Sequence, residues 1–252
     1  MIRMSYWLYR FIRFWVKLFS PTYEISGCEY IPEGECVIVG NHCHMYGPIE
    51  AELYTPGSHY TWCAGELMHA GEVAVYAYKD FWSSKPESVR WFYRILSYLI
   101  TPLAVCIFNN AHTIGVYHDS RILNTFRRTQ ECLEGGARIV IFPEQHIRYN
   151  NIIYRFQDRF IDLARTYHKK TGGDLAFVPM YLAPDLKRVI YGEPVYYNMA
   201  SSGKDERARV AYELMERITR IAVSLPEHTV IPYPNMPSRK YGKNLPQENY
   251  HE

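Results

Sequence analysis

The sequence lacks long hydrophobic segments and lacks the cysteine spacing that a metal site would need. Its longest mostly apolar run, residues 95–108, contains Pro102 and is shorter than the roughly 20 residues that a helix needs to cross a bilayer. None of the six cysteines is separated from another by two residues, which argues against a zinc ribbon and a thioredoxin-type motif. We therefore expect neither a polytopic membrane protein nor a metal centre.

Several catalytic and nucleotide-binding motifs are also missing. The sequence has no glycine-rich phosphate loop, no G-x-G-x-x-G turn, no G-x-S-x-G elbow and no H-E-x-x-H helix. These absences argue against the common nucleotide-binding folds, α/β-hydrolases and zinc proteases, and no cofactor is expected. No secretory signal is visible, so we expect reduced cysteines on a cytosolic face.

Charge is distributed unevenly along the chain. The total of +2, from 28 Lys and Arg against 26 Asp and Glu, gives no sign of a nucleic-acid partner. Residues 1–20 hold four basic residues and no acidic one, which leaves −2 for residues 21–252. These bases recur at helical spacing beside Trp, Phe and Leu, and Ser20-Pro21 follows as a stop signal. The pattern predicts an amphipathic helix lying on an anionic membrane surface. The alternative is a helix whose apolar face packs on the protein's own core.

Apolar runs alternate along the rest of the chain with segments of helical spacing. We expect strands at residues 36–40, 103–108, 138–142, 175–181 and 189–191, and helices from Pro48 onward and at 87–98, 120–133, 151–170 and 204–224. This alternation predicts an α/β fold, a single layered domain with a mixed central sheet flanked by helices, plus the N-terminal amphipathic helix. The expected domains are residues 1–20, the layered domain at 21–225 and an irregular tail at 226–252.

Polar residues follow the expected strands, where sites form in α/β sheets. The stretches are NHCHMYGP at 41–48, GVYHDSR at 115–121, FPEQH at 142–146 and VPMY at 178–181. His42 precedes an expected helix start, whose dipole disfavours the protonated imidazole and leaves it able to accept a proton. The alternative is a buried histidine satisfied by the backbone. A metal on His42, Cys43 and His44 is not expected, because neighbouring side chains do not converge easily and no further ligand is evident.

In this order, the segments resemble the phospholipid and glycerol acyltransferase family, of the lysophosphatidic acid acyltransferase type. The resemblance covers residues 23–200 and rests on YEISGCEYIPEGECVIVGNH, GGARIVIFPE, LAFVPMYLAP and YGEP. Its specific parts are Asn-His after one hydrophobic strand and Phe-Pro-Glu after another.

The resemblance implies that His42 removes a proton from an acceptor hydroxyl, which attacks the thioester of acyl-CoA or acyl carrier protein. In the family an aspartate five positions later orients the histidine, but Gly47 stands there in this sequence. We expect Glu50 to take over as the catalytic acid, with a backbone carbonyl as the alternative. The substrate-binding residues that the resemblance implies are Asn41, His118, Arg121, Phe142, Pro143, Glu144 and Pro179.

Two further motifs depart from the family pattern. His118 stands where the family has a phosphate-binding arginine, with Arg121 close by, and the residues after Glu144 are Gln-His-Ile-Arg instead of Gly-Thr-Arg. An acceptor without a phosphate is therefore an open alternative. The implied function is peripheral, at the cytoplasmic face of a membrane: transfer of a fatty acyl group to glycerol phosphate or a lysophospholipid. The alternative is a family member that binds lipid or acyl carrier without efficient transfer.

Overall fold

The structure, a computed structural model, describes residues 2–82 and 85–245. The α-helices of this part of the chain are α1 Ile2–Phe19, α2 Tyr46–Tyr54, α3 Ala70–Ala77, α4 Glu87–Leu99, α5 Thr101–Asn110, α6 Ile122–Glu134, α7 Leu163–Thr171 and α8 Gly203–Ser224. The strands are β1 Glu24–Ser26, β2 Val37–Gly40, β3 His59–Ala64, β4 Thr113–Val116, β5 Arg138–Ile141, β6 Glu144–Arg148, β7 Tyr154–Phe156, β8 Ala176–Ala183, β9 Arg188–Tyr191, β10 Val195–Tyr196, β11 Thr229–Val230 and β12 Gly242–Lys243.

Internal contacts group the chain into two compact units. Unit 1 contains Met1–Ser20 and Tyr60–Arg128, and unit 2 contains Pro21–His59 and Thr129–Glu252. This grouping does not follow the expected limits at residues 21 and 226, which stay predictions about domains. Met1 and residues 246–252 of the expected N-terminal helix and tail lie outside the described residues.

The core of unit 2 is a mixed sheet centred on β2, whose residues are all buried. β2 pairs in parallel with β5 and with β8. β9 and β10 run antiparallel to β8, and β1 is parallel to β9. Every residue of β8 is also buried, as in a sheet covered on both faces, and α8 packs against it. The carboxyl ends of β2 and β5 meet at one edge, which brings residues 41–44 next to residues 142–144.

Unit 1 consists of a parallel strand pair with helices around it. β3 pairs with β4 in register from Thr61 with Thr113 to Ala64 with Val116. Helices α1, α3 and α4 pack against α5 in the same unit. No single described helix is long and apolar enough to span a membrane, although α4 and α5, joined at a bend of 44°, meet the criteria of length and composition together.

The predicted α/β fold, the mixed sheet and the N-terminal helix are confirmed. Ser20-Pro21 ends α1 as expected, and β2, β5, β8, β9, α6 and α8 lie where the sequence predicts them. The expected strand at 103–108 is wrong, because that run belongs to helix α5 and Pro102 occupies the first turn, where proline is tolerated. The expected helix at 151–170 is wrong in its first half, which forms β7 and a 3₁₀ turn before α7 begins at Leu163.

Candidate active site

His42 lies in a strained turn between β2 and α2. The two residues after it, Cys43 and His44, both have positive φ angles, of 46° and 54°. Consecutive non-glycine residues in the left-handed region are costly and are found where the surrounding structure enforces them, often at functional sites. The turn closes with the Gly47 N–H donating to the His42 carbonyl oxygen at 3.1 Å, one residue into α2.

Asn41 fixes the turn to the neighbouring strand. Its side chain is buried and bonds in both directions with Leu182 of β8, donating from Nδ2 to the carbonyl oxygen at 3.0 Å and accepting at Oδ1 from the N–H at 2.8 Å. Nδ2 also donates to the Cys43 sulfur at 2.9 Å. The amide therefore replaces a backbone group of the sheet, which explains why asparagine precedes His42.

Glu144 holds the same turn from the other side. Its buried carboxylate accepts the His42 backbone N–H at 2.6 Å through Oε2 and the Tyr154 N–H at 2.9 Å through Oε1. Burial raises the pKa of Glu144 to about 7, against the opposing effect of these two hydrogen bonds. Because both oxygens accept backbone N–H groups, Glu144 supports the turn of His42. The substrate contact that the sequence predicts for Glu144 stays a prediction.

The imidazole of His42 is half-buried among aromatic rings. The Phe142 and Tyr233 rings present edge contacts, with centroids 5.4 and 5.7 Å from that of His42. Burial lowers the pKa of His42 to about 4, with partial compensation from the backbone of His44 and of His42 itself. The ring is therefore neutral at physiological pH, the state in which an imidazole accepts a proton.

No carboxylate among the described residues accepts or donates a hydrogen bond at the His42 imidazole. Nδ1 of His42 is buried and has no hydrogen-bond partner of acceptable geometry among the described residues. At Gly47 a Cβ would lie 2.4 Å from the His42 carbonyl oxygen, so the position has no room for an aspartate without movement of the turn. Packing and the backbone bonds of the turn orient the ring in this structure.

Glu50, the residue expected to replace the aspartate, lines a small cavity under α2. Its neighbours there include Tyr54, Thr55 and Tyr191, and its Oε2 has no hydrogen-bond partner among the described residues. Burial raises the pKa of Glu50 to about 7. The carboxylate makes no bond to Nδ1 of His42 in this structure. The catalytic role expected for Glu50 stays a prediction, and the absence of this bond argues against it.

The two residues expected to hold the acceptor's phosphate belong to unit 1. His118 is exposed after β4. Arg121 already bonds to two carboxylates, donating to Glu72 at 2.9 Å and to Asp119 at 3.0 Å, and its guanidinium lies 4.1 Å from the Tyr117 ring centroid. The two carboxylates raise the pKa of Arg121. Its charge is therefore largely compensated before any phosphate binds.

The remaining predicted residues belong to unit 2. Phe142 contacts the His42 ring. The Pro143 carbonyl oxygen accepts the Gln157 N–H at 2.9 Å. Pro179 lies buried in β8 opposite Val39 of β2 and shapes the sheet below the turn.

Tyr233 was not identified from the sequence. It lies in the segment between β11 and β12, and its ring contacts both His42 and His146, the latter at a centroid distance of 5.0 Å. The same segment contacts His44, whose Nε2 donates to the Pro234 carbonyl oxygen at 3.2 Å. No local pattern signals a contact across 191 residues of sequence.

Among the described residues no group of three or more metal-ligating side chains occurs.

No protein-family model matches the sequence, and no curated protein matches it. The chain is similar to the 1-acyl-sn-glycerophosphate (LPA) acyltransferase PlsC from Thermotoga maritima, with 17% sequence identity. The match covers 87% of this chain and 79% of that one, at a TM-score of 0.44.

Proposed function

We propose that the protein is a membrane-associated acyltransferase. It moves a fatty acyl group from acyl-CoA or acyl carrier protein to a hydroxyl of glycerol phosphate or a lysophospholipid. The observation that carries the proposal is the neutral His42 in a strained, doubly anchored turn at the carboxyl end of β2. The imidazole is partly accessible and neutral at physiological pH, the state in which it accepts a proton from an approaching hydroxyl.

In the proposed reaction His42 takes the proton of the acceptor hydroxyl as its oxygen attacks the thioester carbonyl carbon. The tetrahedral intermediate then expels the thiolate, which receives the proton from the imidazolium, so that an ester and a free thiol are formed. Asn41 and Glu144 keep the turn in place, and Phe142 holds the ring. His118 and Arg121 remain the candidates for the acceptor's phosphate, and Pro143 and Pro179 for the walls of the site.

The exposed side chains of helix α1 support the peripheral membrane contact in the proposal, which places the protein at the cytoplasmic face. Its large apolar side chains are exposed, with Trp7 64% and Phe14 61% accessible, and among its described side chains only Tyr9 is buried. The alternative, in which the helix packs on the protein's own core, describes one side of α1, where it packs against α5. An in-plane helix of this kind places apolar area among acyl chains and bases among anionic headgroups.

A second candidate function is binding of lipid or acyl carrier without efficient transfer. It is favoured by the lack of a carboxylate on Nδ1 of His42 among the described residues. In a catalytic triad, replacement of the orienting aspartate lowers the rate by about 10⁴.

The test is consumption of acyl thioester with lysophosphatidic acid and other acceptors. His42→Ala is compared with wild type and with His168→Ala, which removes an accessible histidine from α7 of the same unit. We expect His42→Ala to fall to the background rate and His168→Ala to match wild type. If all three proteins show the same background rate and lipid binding is retained, the acyltransferase proposal is wrong and the lipid-binding function is supported.

A further inference from the structure

Helix α4 turns its large apolar side chains to solvent. Residues 91, 92, 95, 98 and 99 recur at the spacing of one helix face, and all five are exposed: Trp91, Phe92, Ile95, Tyr98 and Leu99. The inward face carries Tyr93, Leu96 and Ser97, of which Ser97 is buried. A helix on the surface of a globular unit ordinarily has the reverse arrangement, and a contiguous exposed apolar patch marks an interaction surface.

This face belongs to the same unit as the exposed face of α1. Both helices pack against α5, and Cys106 of α5 donates from its sulfur to the Ser5 carbonyl oxygen of α1 at 3.2 Å. Leu103 of α5 is also exposed and continues the α4 face beyond the bend. Unit 1 therefore presents two outward apolar helix faces joined through one helix.

The charge of unit 1 indicates what covers these faces. Unit 1 contains eleven Lys and Arg against five Asp and Glu, a net charge of +6, whereas unit 2 contains 17 against 21, a net charge of −4. Exposed bases stand beside the apolar residues on both helices, Arg10 and Lys17 on α1 and Arg94 on α4. A second copy would bring two surfaces of the same sign together, which is unfavourable, whereas an anionic bilayer is complementary in both charge and polarity.

We propose that unit 1 is a membrane-docking module in which α4 joins α1 in the headgroup region of an anionic bilayer. The proposal extends the membrane contact of α1, which is part of the proposed function, to a second helix. The Trp and Tyr residues of the α4 face suit the boundary between acyl chains and water, because each has an apolar body and a polar group.

The experiment is co-sedimentation of the full chain with phosphatidylcholine vesicles, with and without phosphatidylglycerol. Leu99→Glu in α4 is compared with Leu123→Glu in α6, since the two leucines are similarly exposed, at 70% and 74%. Phe14→Glu tests α1 in the same assay. We expect Leu99→Glu and Phe14→Glu each to weaken binding to anionic vesicles by about tenfold or more. Leu123→Glu should bind like wild type, and thermal unfolding should show that all variants fold.

Three outcomes would overturn the proposal. Leu99→Glu binding as tightly as Leu123→Glu would leave α1 as the contact and exclude α4. Loss of self-association in Leu99→Glu without loss of vesicle binding would assign the face to a second copy. Equal binding to vesicles with and without phosphatidylglycerol would exclude an anionic bilayer as the specific partner of these faces. No thioester or acceptor is present, so failure here is distinguishable from failure of the acyl-transfer proposal.

Discussion

The substitution Glu50→Gln distinguishes a carboxyl group that is only buried from one that takes part in catalysis. Burial raises the pKa of Glu50 from 4.5 to about 7, because the folded protein gives the ionised carboxylate no compensating partner at Oε2. Between these two pH values the folded protein holds a proton that the unfolded chain has released. The group's stabilising contribution is therefore present below pH 4.5 and is lost as the pH rises through 7. The shift corresponds to about 3 kcal/mol of unfolding free energy, and glutamine, which does not titrate, removes this loss.

The assay is urea unfolding of wild type and Glu50→Gln at pH 4.5 and pH 8. The difference in unfolding free energy between the two proteins should shift by about 3 kcal/mol in favour of the variant from the lower to the higher pH. Comparing differences cancels the other titrating groups, including Glu144 and His42, which are present in both proteins. A difference that does not depend on pH would refute the burial of an unpaired carboxyl at this position.

The same variant tests the predicted catalytic role of Glu50. The structure shows no bond between its carboxylate and Nδ1 of His42, so acyl transfer by Glu50→Gln should stay within about twofold of wild type. A rate reduced by orders of magnitude would show that Glu50 orients His42 after all.

Two further predictions concern the surroundings of His42. Tyr233→Ala should expose the His42 imidazole and raise the pKa of His42 from about 4 toward 6.5, as measured by NMR titration. Tyr233→Phe should keep the wild-type pKa of His42. Equal pKa values of His42 in the two variants would contradict the shielding of His42 by the Tyr233 ring. Gly47→Ala places a Cβ 2.4 Å from the His42 carbonyl oxygen and should lower both the unfolding free energy, by about 1–3 kcal/mol, and the transfer rate. Gly34→Ala, whose Cβ meets nothing within 4 Å, is its control, and equal effects would refute the steric argument.

Local patterns were sufficient to predict the elements around the site. β2 and β5 were predictable because short apolar runs end at polar residues. The stretches that contain His42 and Glu144 follow those strands, and the roles expected for the two residues came from the resemblance to the acyltransferase family. The structure of the run from Leu103 to Phe108 could not be predicted from the local pattern. A short apolar run is compatible with a strand or with a buried helix, and tertiary packing decides between them.

Long-range contacts around the site were beyond the reach of sequence patterns. Glu144 was expected at the substrate, but only the fold shows that its two oxygens accept the N–H groups of His42 and Tyr154. Tyr233 contacts His42 across 191 residues, and a single tyrosine in a proline-rich segment carries no signal of that contact. The steric exclusion of a side chain at Gly47 likewise depends on the position of the His42 carbonyl.

The pH dependence of kcat/KM for acyl transfer tests the central claim most directly, because the proposed base is a neutral, half-buried His42. A base with a pKa of about 4 predicts a fall in kcat/KM near pH 4 in wild type that moves toward pH 6.5 in Tyr233→Ala, whereas a fall near pH 7 that is the same in both proteins belongs to a buried carboxyl such as Glu144. A profile without a fall near pH 4 in wild type would contradict the burial of the catalytic imidazole. Absence of transfer at every pH would contradict the acyltransferase itself.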